Sequence, residues 1–594
     1  MPMIEQDIKV AVAHVLTNQY SAAITAEQVT INKTNKEHTG DFTVVVFPLA
    51  RYTKLAPEAA GQAIGEALKT TCDFIAEFNV IKGFLNLVLT DKYWLTRLGE
   101  IASNPTYGTF APNGSKVVLE YCGPNTNKPL HIGHVRNMLL GYSMSEILKA
   151  AGSDVTKVNI YNDRGIAISQ SMVAYTRYAN GATPESMGIK GDHFVGDWYV
   201  KFNQVALEEV GALCNAPEDK AEAKKQTKIF KEAQELLLKW EAGDPETMAL
   251  WKKMNGWVYQ GFQQTFNLIG VDFQKDYYES ETYKLGKDII EEGLAKEVFY
   301  KRADGAVAVD LTPEGLDEKV LLRSDGTSIY ITQDLGTAQL RYEEFGMDKM
   351  IYVVANEQDY HFKVLKLALQ KLGKQWADGI FHLSYALVES PTGRFKSREG
   401  KTADADDLIA EVMRIAEDRT KELGKIEGLS ETEAQQLYHT IGLGALKYFV
   451  LRVNPYKKII FNPEESIDFH GHTGPFIQYT HARICAITRK AGSLAETTTI
   501  DTSQPLTTEE KELLVLLADY ENTVRNAAEK VDPSELANYI YQLAKTYNKF
   551  YHESPILNAN TDAEKSLRIA LSAQTGSVIK KGMKLLGIAV PERM

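Results

Sequence analysis

Apolar residues recur at helical spacing from the start of the chain, where Ile4, Ile8, Ala11, Val12 and Val15 form one stripe. The stretches DFTVVVFPLA and GFLNLVLTD change to the dense β-branched and aromatic pattern of strands. The turn-rich run SNPTYGTFAPNGS, residues 103–115, then marks a boundary. A strand–helix–strand pattern follows. KVVLEYC predicts a buried strand, GPNTNKPL a loop, and the next segment a helix from about His131 to Ala151 that stops at Gly152; VTKVNIYN is the second strand. Along that helix Val135, Met138, Leu139 and Tyr142 make one apolar row, and Leu140, Met144, Ile147 and Leu148 another. So broad an apolar surface belongs to a helix packed on a sheet. The strand spacing predicts a parallel sheet, in which ligands bind at the carboxyl ends of the strands.

From about Ala167 to Gly270 the pattern becomes helical and charged, as an insertion would. GAVAVDL, SIYITQDL and KMIYVVANEQD then read as resumed strands, HLSYALV as another, followed by a basic stretch and a long helix. Beyond about Ser430 the chain reads as helices separated by NPEES, TSQPL and NANTD. The expected organisation is multi-domain α/β. An N-terminal α+β domain spans 1–113, a parallel-sheet domain spans 114–405 with a helical insertion at about 167–270, and an all-α connector and C-terminal helical bundle spans 406–594.

Composition narrows the class. A chain of 594 residues has room for three or four cores. Its formal charge of −12 argues against indiscriminate nucleic-acid binding. The acidic excess lies upstream of about Tyr479, so the C-terminal region can still present a basic face. No apolar run is long enough to span a membrane, and the start lacks the pattern of a signal peptide. Cys72, Cys122, Cys214 and Cys485 are scattered, with no C-x-x-C pair, which fits a reducing cytoplasm and no structural metal.

Two stretches carry chemistry. The first is NKPLHIGH. It lacks the Gly-Lys-Ser/Thr of a Walker A loop and the G-x-G-x-x-G of a dinucleotide fold, yet it sits where those loops sit, between a first parallel strand and a helix start. Free amide groups and the helix dipole attract anions there. His131 and His134 share one face of the first turn, Lys128 adds a cation, and Gly133 leaves room for a ligand. Near a polyphosphate, such groups can stabilise charge that grows in the transition state. A zinc-binding His-x-x-His lacks an evident third ligand, and a purely structural histidine pair leaves Lys128, Asn125 and Gly133 unexplained. The second stretch, TGRFKSREGK, crowds Arg394, Lys396, Arg398 and Lys401 between glycines. Cations so placed can close on a triphosphate and release pyrophosphate; the same composition also suits a solvated basic loop.

Together these stretches resemble the class I aminoacyl-tRNA synthetases, whose first signature, His-Ile-Gly-His, is literal here. The second departs from the family's Lys-Met-Ser-Lys-Ser: alignment on Ser397, Arg398 and Gly400 puts Arg394 at the first lysine and Lys396 at the first serine. LEYCGPNTNKPLHIGHVRN, RSDGTSIYITQDLGTA, IYVVANEQDYHF, GALKYFVLRVNP, HTGPFIQYTHARI and LLGIAVPERM, in that order, resemble the arginyl branch over nearly the whole chain.

The resemblance implies a Rossmann-like catalytic domain that joins L-arginine to its tRNA through an adenylate, with ATP as substrate and Mg2+ accompanying it. His131, His134, Lys128, Arg394, Lys396 and Arg398 would act on the phosphates. Pro129, Leu130, Gly133, Ser397 and, near the adenine or ribose, His361 would complete the ATP site. Tyr330, Asp334 and Glu279 would take the guanidinium, which favours paired carboxylates and an aromatic. Glu120, Asn125 and Gln358 would hold the amino-acid end. Asp334 could equally cap a helix before LGTAQLRYEE. The C-terminal bundle would read the anticodon loop by stacking and edge contacts. Its candidates are Tyr547, Lys549 and Tyr551 within YIYQLAKTYNKFYHESP, where most of the aromatic stripe should be core, together with Lys580 and Lys581. A cytoplasmic monomer is expected. The alternatives are a small nucleotidyltransferase with an H-x-G-H helix start and a non-catalytic tRNA-binding relative.

Overall fold

The structure is a computed structural model that describes residues 4–35, 37–213, 220–389, 404–424, 428–496 and 500–594. Arg394, Lys396, Ser397, Arg398 and Lys401 therefore lie outside the described residues. Helices of at least nine residues are numbered below.

The N-terminal unit is a four-stranded antiparallel sheet, β1 (Ile31–Lys33), β2 (Phe42–Val45), β3 (Ile75–Ile81) and β4 (Phe84–Leu89), in the order β1-β2-β4-β3. Helices α1 (Ile4–Tyr20), α2 (Pro57–Thr71) and α3 (Asp91–Ser103) accompany it. The next sheet is wholly parallel. Its strands are β5 (Lys116–Glu120), β6 (Asp154–Tyr161) and β7 (Lys275–Tyr278), with α4 (Ile132–Ala150) crossing between β5 and β6. Between β6 and β7 the chain leaves the sheet for the helical insertion, α5 (Ile166–Tyr178), α6 (Gly191–Leu213), α7 (Lys228–Glu241) and α8 (Pro245–Ile269). The insertion has a small core of its own around Val173, Phe202, Val205 and Ile229.

After α9 (Lys287–Ala295), strands β8 (Phe299–Lys301), β9 (Val307–Val309) and β10 (Lys319–Leu322) make a separate antiparallel sheet. GAVAVDL thus belongs to a side sheet rather than to the parallel one. SIYITQDL is not a strand either. Tyr330 opens α10 (Tyr330–Phe345), because Ile331, Leu335 and Ala338 put a buried stripe at helical spacing, and this outweighs the local β-branched residues. The main sheet resumes with β11 (Lys349–Ala355), α11 (Asp359–Lys371) and β12 (Ile380–Tyr385), giving the order β12-β11-β5-β6-β7. The order reverses at β5, so the crevice between the carboxyl ends of β5 and β11 is the topological switch point where such sheets bind ligands.

A short strand β13 (Val388–Glu389) follows, then α12 (Ala405–Glu422) and α13 (Glu431–Leu451); β14 (Ile459–Ile460) pairs with β13 in parallel. The remaining helices are α14 (Gly474–Ala491), α15 (Thr508–Ala518), α16 (Tyr520–Lys530), α17 (Pro533–Glu553) and α18 (Asp562–Leu585). The two ends of the chain meet. Asn522 donates to Glu5 at 3.0 Å, the Tyr107 hydroxyl donates to the Leu517 carbonyl at 2.8 Å, and Lys511 pairs with Asp41 at 3.1 Å. Among the described residues no helix is long and apolar enough to cross a membrane.

The last residues lie across α13 and α14. Gln478 donates to the Ala589 carbonyl at 2.8 Å, and the buried Lys447 donates to the Gly587 carbonyl at 2.5 Å. Burial without a carboxylate lowers the Lys447 ammonium to about 8. Below pH 8 both folded and unfolded chains keep this proton. Between pH 8 and the usual lysine range the folded state releases it first, so stability rises with pH, by up to roughly 3 kcal/mol for this group. Denaturant titrations should show that rise in the native chain, and Lys447→Met should flatten it.

Candidate active site

The loop from β5 to α4 is stitched to its surroundings before it reaches the helix. Asn137 on α4 accepts the Cys122 N–H at 2.6 Å and donates to the Val353 carbonyl of β11 at 2.6 Å. Cys122 is held at a left-handed φ of 80°. Asn162 donates to the Gly123 carbonyl at 3.0 Å, and Asn125 makes an isolated parallel bridge to it, with its own side chain exposed.

At the helix start the two imidazoles cap the backbone reciprocally. His131 is the N-cap, and its Nδ1 accepts the Gly133 N–H at 3.1 Å. The His134 Nδ1 accepts the His131 N–H, also at 3.1 Å. The rings face each other with centroids 4.0 Å apart. A Cβ on Gly133 would stand 2.9 Å from His131 Cε1, so the first demand on this glycine is the histidine ring. Both rings are neutral near pH 7. Burial lowers His131 to about 4, with Lys128 nearby adding to the effect, and burial, with His131 and Lys128 adding to it, lowers His134 well below the usual histidine range. With each Nδ1 accepting, each proton is assigned to Nε2, which leaves two N–H donors free of the cap.

This helix start also holds the described ends of the segment that carries the basic stretch. Arg136, fully buried, donates to the carbonyls of Pro455 at 3.0 Å and Lys457 at 2.9 Å, and to that of Ala386 just ahead of β13. On the other side, the Ala405 N–H donates to the Leu130 carbonyl at 2.9 Å.

Carboxylates gather at the neighbouring strand ends. Glu120 ends β5 and forms an ion pair with Arg341 of α10, whose guanidinium is fully buried and lies 4.7 Å over the Tyr277 ring. Burial raises the Glu120 carboxyl, Arg341 opposes the rise, and Asp334 adds to it. Glu279, just past β7, is pushed up to about 7 by burial; Arg164 opposes this, and Asp163 and Asp334 reinforce it. Asp163 fixes the turn that presents Glu279, because its carboxylate accepts the Ser280 N–H and hydroxyl at 2.8 Å and the Tyr259 hydroxyl at 2.9 Å. Asp334 lies one turn into α10 on the same face as Tyr330, which is 77% exposed. It is not the cap, which falls at Ile329. Asp334 meets His361 at 2.6 Å, so that histidine stands against a carboxylate of the proposed guanidinium pocket. Gln358 is exposed in the short 3-10 turn Asn356–Gln358 that follows β11.

Asp163, Arg341 and Arg136 were not singled out from the sequence. For Arg341 a signal existed, since it falls on the apolar stripe of α10 with Leu335 and Ala338, where an arginine needs a buried partner.

In the C-terminal bundle the structure corrects one residue. Tyr547 is fully buried and donates to Ser572 at 3.2 Å, because it shares the inner face of α17 with Ile540, Leu543 and Phe550. Tyr551 is partly exposed beneath the Arg483 guanidinium, 4.8 Å from its ring centre. Lys549 reaches Glu512 at 3.0 Å, Lys580 reaches Glu592 at 3.3 Å, and Lys581 donates to the Pro105 carbonyl at 3.0 Å.

Residues 99–462 match the family model "tRNA synthetases class I (R), catalytic domain", so a parallel sheet with an imidazole-capped first helix takes its place in that class. Residues 3–89 match "Arginyl tRNA synthetase N terminal domain" and residues 477–594 match "DALR anticodon binding domain". The chain belongs to the arginyl-tRNA synthetase family. It is 50% identical over 598 residues to the arginine–tRNA ligase of Parabacteroides distasonis and 50% identical over 595 residues to that of Bacteroides fragilis, with 100% of both chains covered in each case. The fold is similar to that of Thermus thermophilus arginyl-tRNA synthetase, at a TM-score of 0.80 and 24% identity over 100% of each chain. It is also similar to the Plasmodium falciparum enzyme, at 0.78 and 19%, again over 100% of each chain.

The buried Glu120–Arg341 pair gives a stability test. Arg341→Met should cost about 3–5 kcal/mol by denaturant unfolding, because it strands a carboxylate. The double variant with Glu120→Gln should recover most of that loss.

Proposed function

We propose that this arginine–tRNA ligase runs its chemistry in the crevice at the end of β5. The arginine carboxylate attacks the α-phosphorus of ATP in line, giving arginyl-adenylate and pyrophosphate. A ribose hydroxyl of the tRNA's terminal adenosine then takes the arginyl group and releases AMP. No protein nucleophile is required; positioning and charge stabilisation suffice.

One observation carries this reading. A single loop leaves the sheet at Glu120, with Asp334 acting on both that carboxylate and Glu279, and ends at two neutral imidazoles whose Nε2–H groups are not taken up by the helix cap. Donors of this kind meet growing phosphate charge already oriented and without rearranging. In this proposal Lys128 and the cations Arg394, Lys396 and Arg398 supply further positive charge, and Pro129, Leu130, Gly133 and Ser397 serve the ATP site. Asp334 and Glu279 take the guanidinium with Tyr330 beside it, while Asn125, Gln358 and Glu120 face the amino-acid end. Magnesium enters with the nucleotide, held chiefly by its phosphates. Tyr551, Lys549 and Lys580 are the candidates for contact with the anticodon loop. The enzyme is proposed to work as a cytoplasmic monomer.

Arginine-dependent exchange of pyrophosphate into ATP, with and without tRNA, tests the activity; exchange driven by lysine or glutamate instead would refute it. In that assay His134→Ala should slow activation by about 10² or more. Asp334→Asn should raise the KM for arginine far more than that for ATP, and equal effects would place Asp334 outside the pocket.

Acidity gives a second check. A guanidinium needs Glu279 ionised, and its carboxyl is raised to about 7. As pH falls from 8 to 6 the ionised fraction drops, and the KM for arginine should rise by up to about tenfold. Glu279→Gln should remove that slope; an unchanged slope would assign it to another group.

A further inference from the structure

We propose that Lys190, His193 and Asp406 are positioning residues that set the histidine-capped tip of α4 against ATP. The inference rests on reading that tip as the phosphate donor.

The three belong to a polar junction between the helical insertion and α12. Asp406, in the first turn of α12, accepts Lys190 Nζ at 2.6 Å and lies 3.0 Å from His193 Nε2 through one oxygen. Its other oxygen accepts the Thr265 hydroxyl of α8 at 2.9 Å. Lys190 also donates to Thr265 at 2.5 Å and lies 3.3 Å from Asp192. His193 reaches Asp404 at 3.4 Å. Burial alone would raise the Asp406 carboxyl, but the hydrogen bonds from His193 and Lys190 hold it well below the usual range. Asp192, His193 and Asp406 have the spacing of a metal site, yet the Lys190 ammonium bonds to two of the three and already serves as their cation.

This junction leans directly on the tip. Asp404, the N-cap of α12, forms an antiparallel bridge with His131, and the next N–H, that of Ala405, donates to Leu130. From the other side, α6 presses on the same loop: a Cβ on Gly196 would stand 2.8 Å from Pro129 Cδ. The Lys128–His131 strip is therefore gripped between α6 and the start of α12, and the Lys190–His193–Asp406 bonds set the distance between those two jaws. Apolar packing would hold helices together at least as firmly as a half-buried charge network. What the network adds is fixed geometry. The neutral imidazoles depend on that geometry, because a displacement of about 1 Å can cost on the order of 10² in rate.

The test is arginine-dependent pyrophosphate exchange with the full chain, varying ATP and arginine separately, alongside thermal unfolding. Asp406→Asn keeps the shape and removes the charge. It should lower kcat/KM for ATP roughly tenfold while the KM for arginine stays within about twofold and the Tm within a few degrees. His193→Gln, which keeps a donor, should restore most of what His193→Ala loses. Gly196→Ala, which touches no charge, should raise the KM for ATP by wedging Pro129 and serves if the Asp406 variant fails to fold. Equal losses for both substrates, losses that track Tm, or unchanged kinetics in Asp406→Asn and Gly196→Ala would each overturn the proposal. His134→Ala separates the premise. If it is silent, the tip is not the donor; if it is slow while Asp406→Asn is kinetically normal, only the positioning role falls.

Discussion

A helix cannot begin without leaving backbone N–H groups unsatisfied, and the whole site is organised around how α4 meets that demand. Serine or aspartate is the usual solution. Here two imidazoles do it, each through Nδ1. The choice has a chemical result that a hydroxyl or carboxylate cap would not give: satisfying the backbone fixes the tautomer, and the fixed tautomer turns a hydrogen-bond donor outward. Burial keeps both rings uncharged, so they add directed donors without repelling each other or Lys128. In the proposed mechanism structural capping and phosphate stabilisation are one arrangement, and the glycine between the histidines is first a matter of fitting the ring.

The opposite wall of the crevice is governed by negative charge in a confined space. Asp334 acts on both Glu120 and Glu279, and both glutamates are raised chiefly by burial. The protein compensates only part of that charge internally. Arg341 balances Glu120, while Glu279 keeps Arg164 as a partial counterweight, since Arg164 is also engaged with Glu241 at 2.7 Å. The remaining deficit suits a cationic side chain arriving with the substrate.

Much of this was readable from the chain. The strand–loop–helix at residues 116–150, the helical insertion and the helical last third follow from apolar periodicity, and the His-Ile-Gly-His start of α4 follows from its motif. Other features were hidden for physical reasons. SIYITQDL has the local composition of a strand, and only its burial stripe against neighbouring elements makes it a helix. Asp163 and Arg136 act through partners distant in sequence, Tyr259 and Ser280 for the first and Ala386, Pro455 and Lys457 for the second, so no local pattern marks them. Tyr547 and Tyr551 look alike in sequence and lie on one side of α17, but Tyr547 is covered where α18 brings Ser572 against it, while Tyr551, nearer the helix end, is left partly exposed beside Arg483.

The meeting of the chain's two ends has a consequence for how the molecule is made. Glu5 and Asp41 find their partners, Asn522 and Lys511, about five hundred residues later. Emerging from the ribosome, the first unit has an outer face with nothing yet to rest on. It must wait through the synthesis of the sheet and the insertion before the last helices arrive. Contacts of such long sequence separation are slow to form, so final closure of the molecule is a post-synthetic event. Until then the N-terminal unit is a tethered body with an uncovered face, the point at which a chaperone or a protease would meet this chain first.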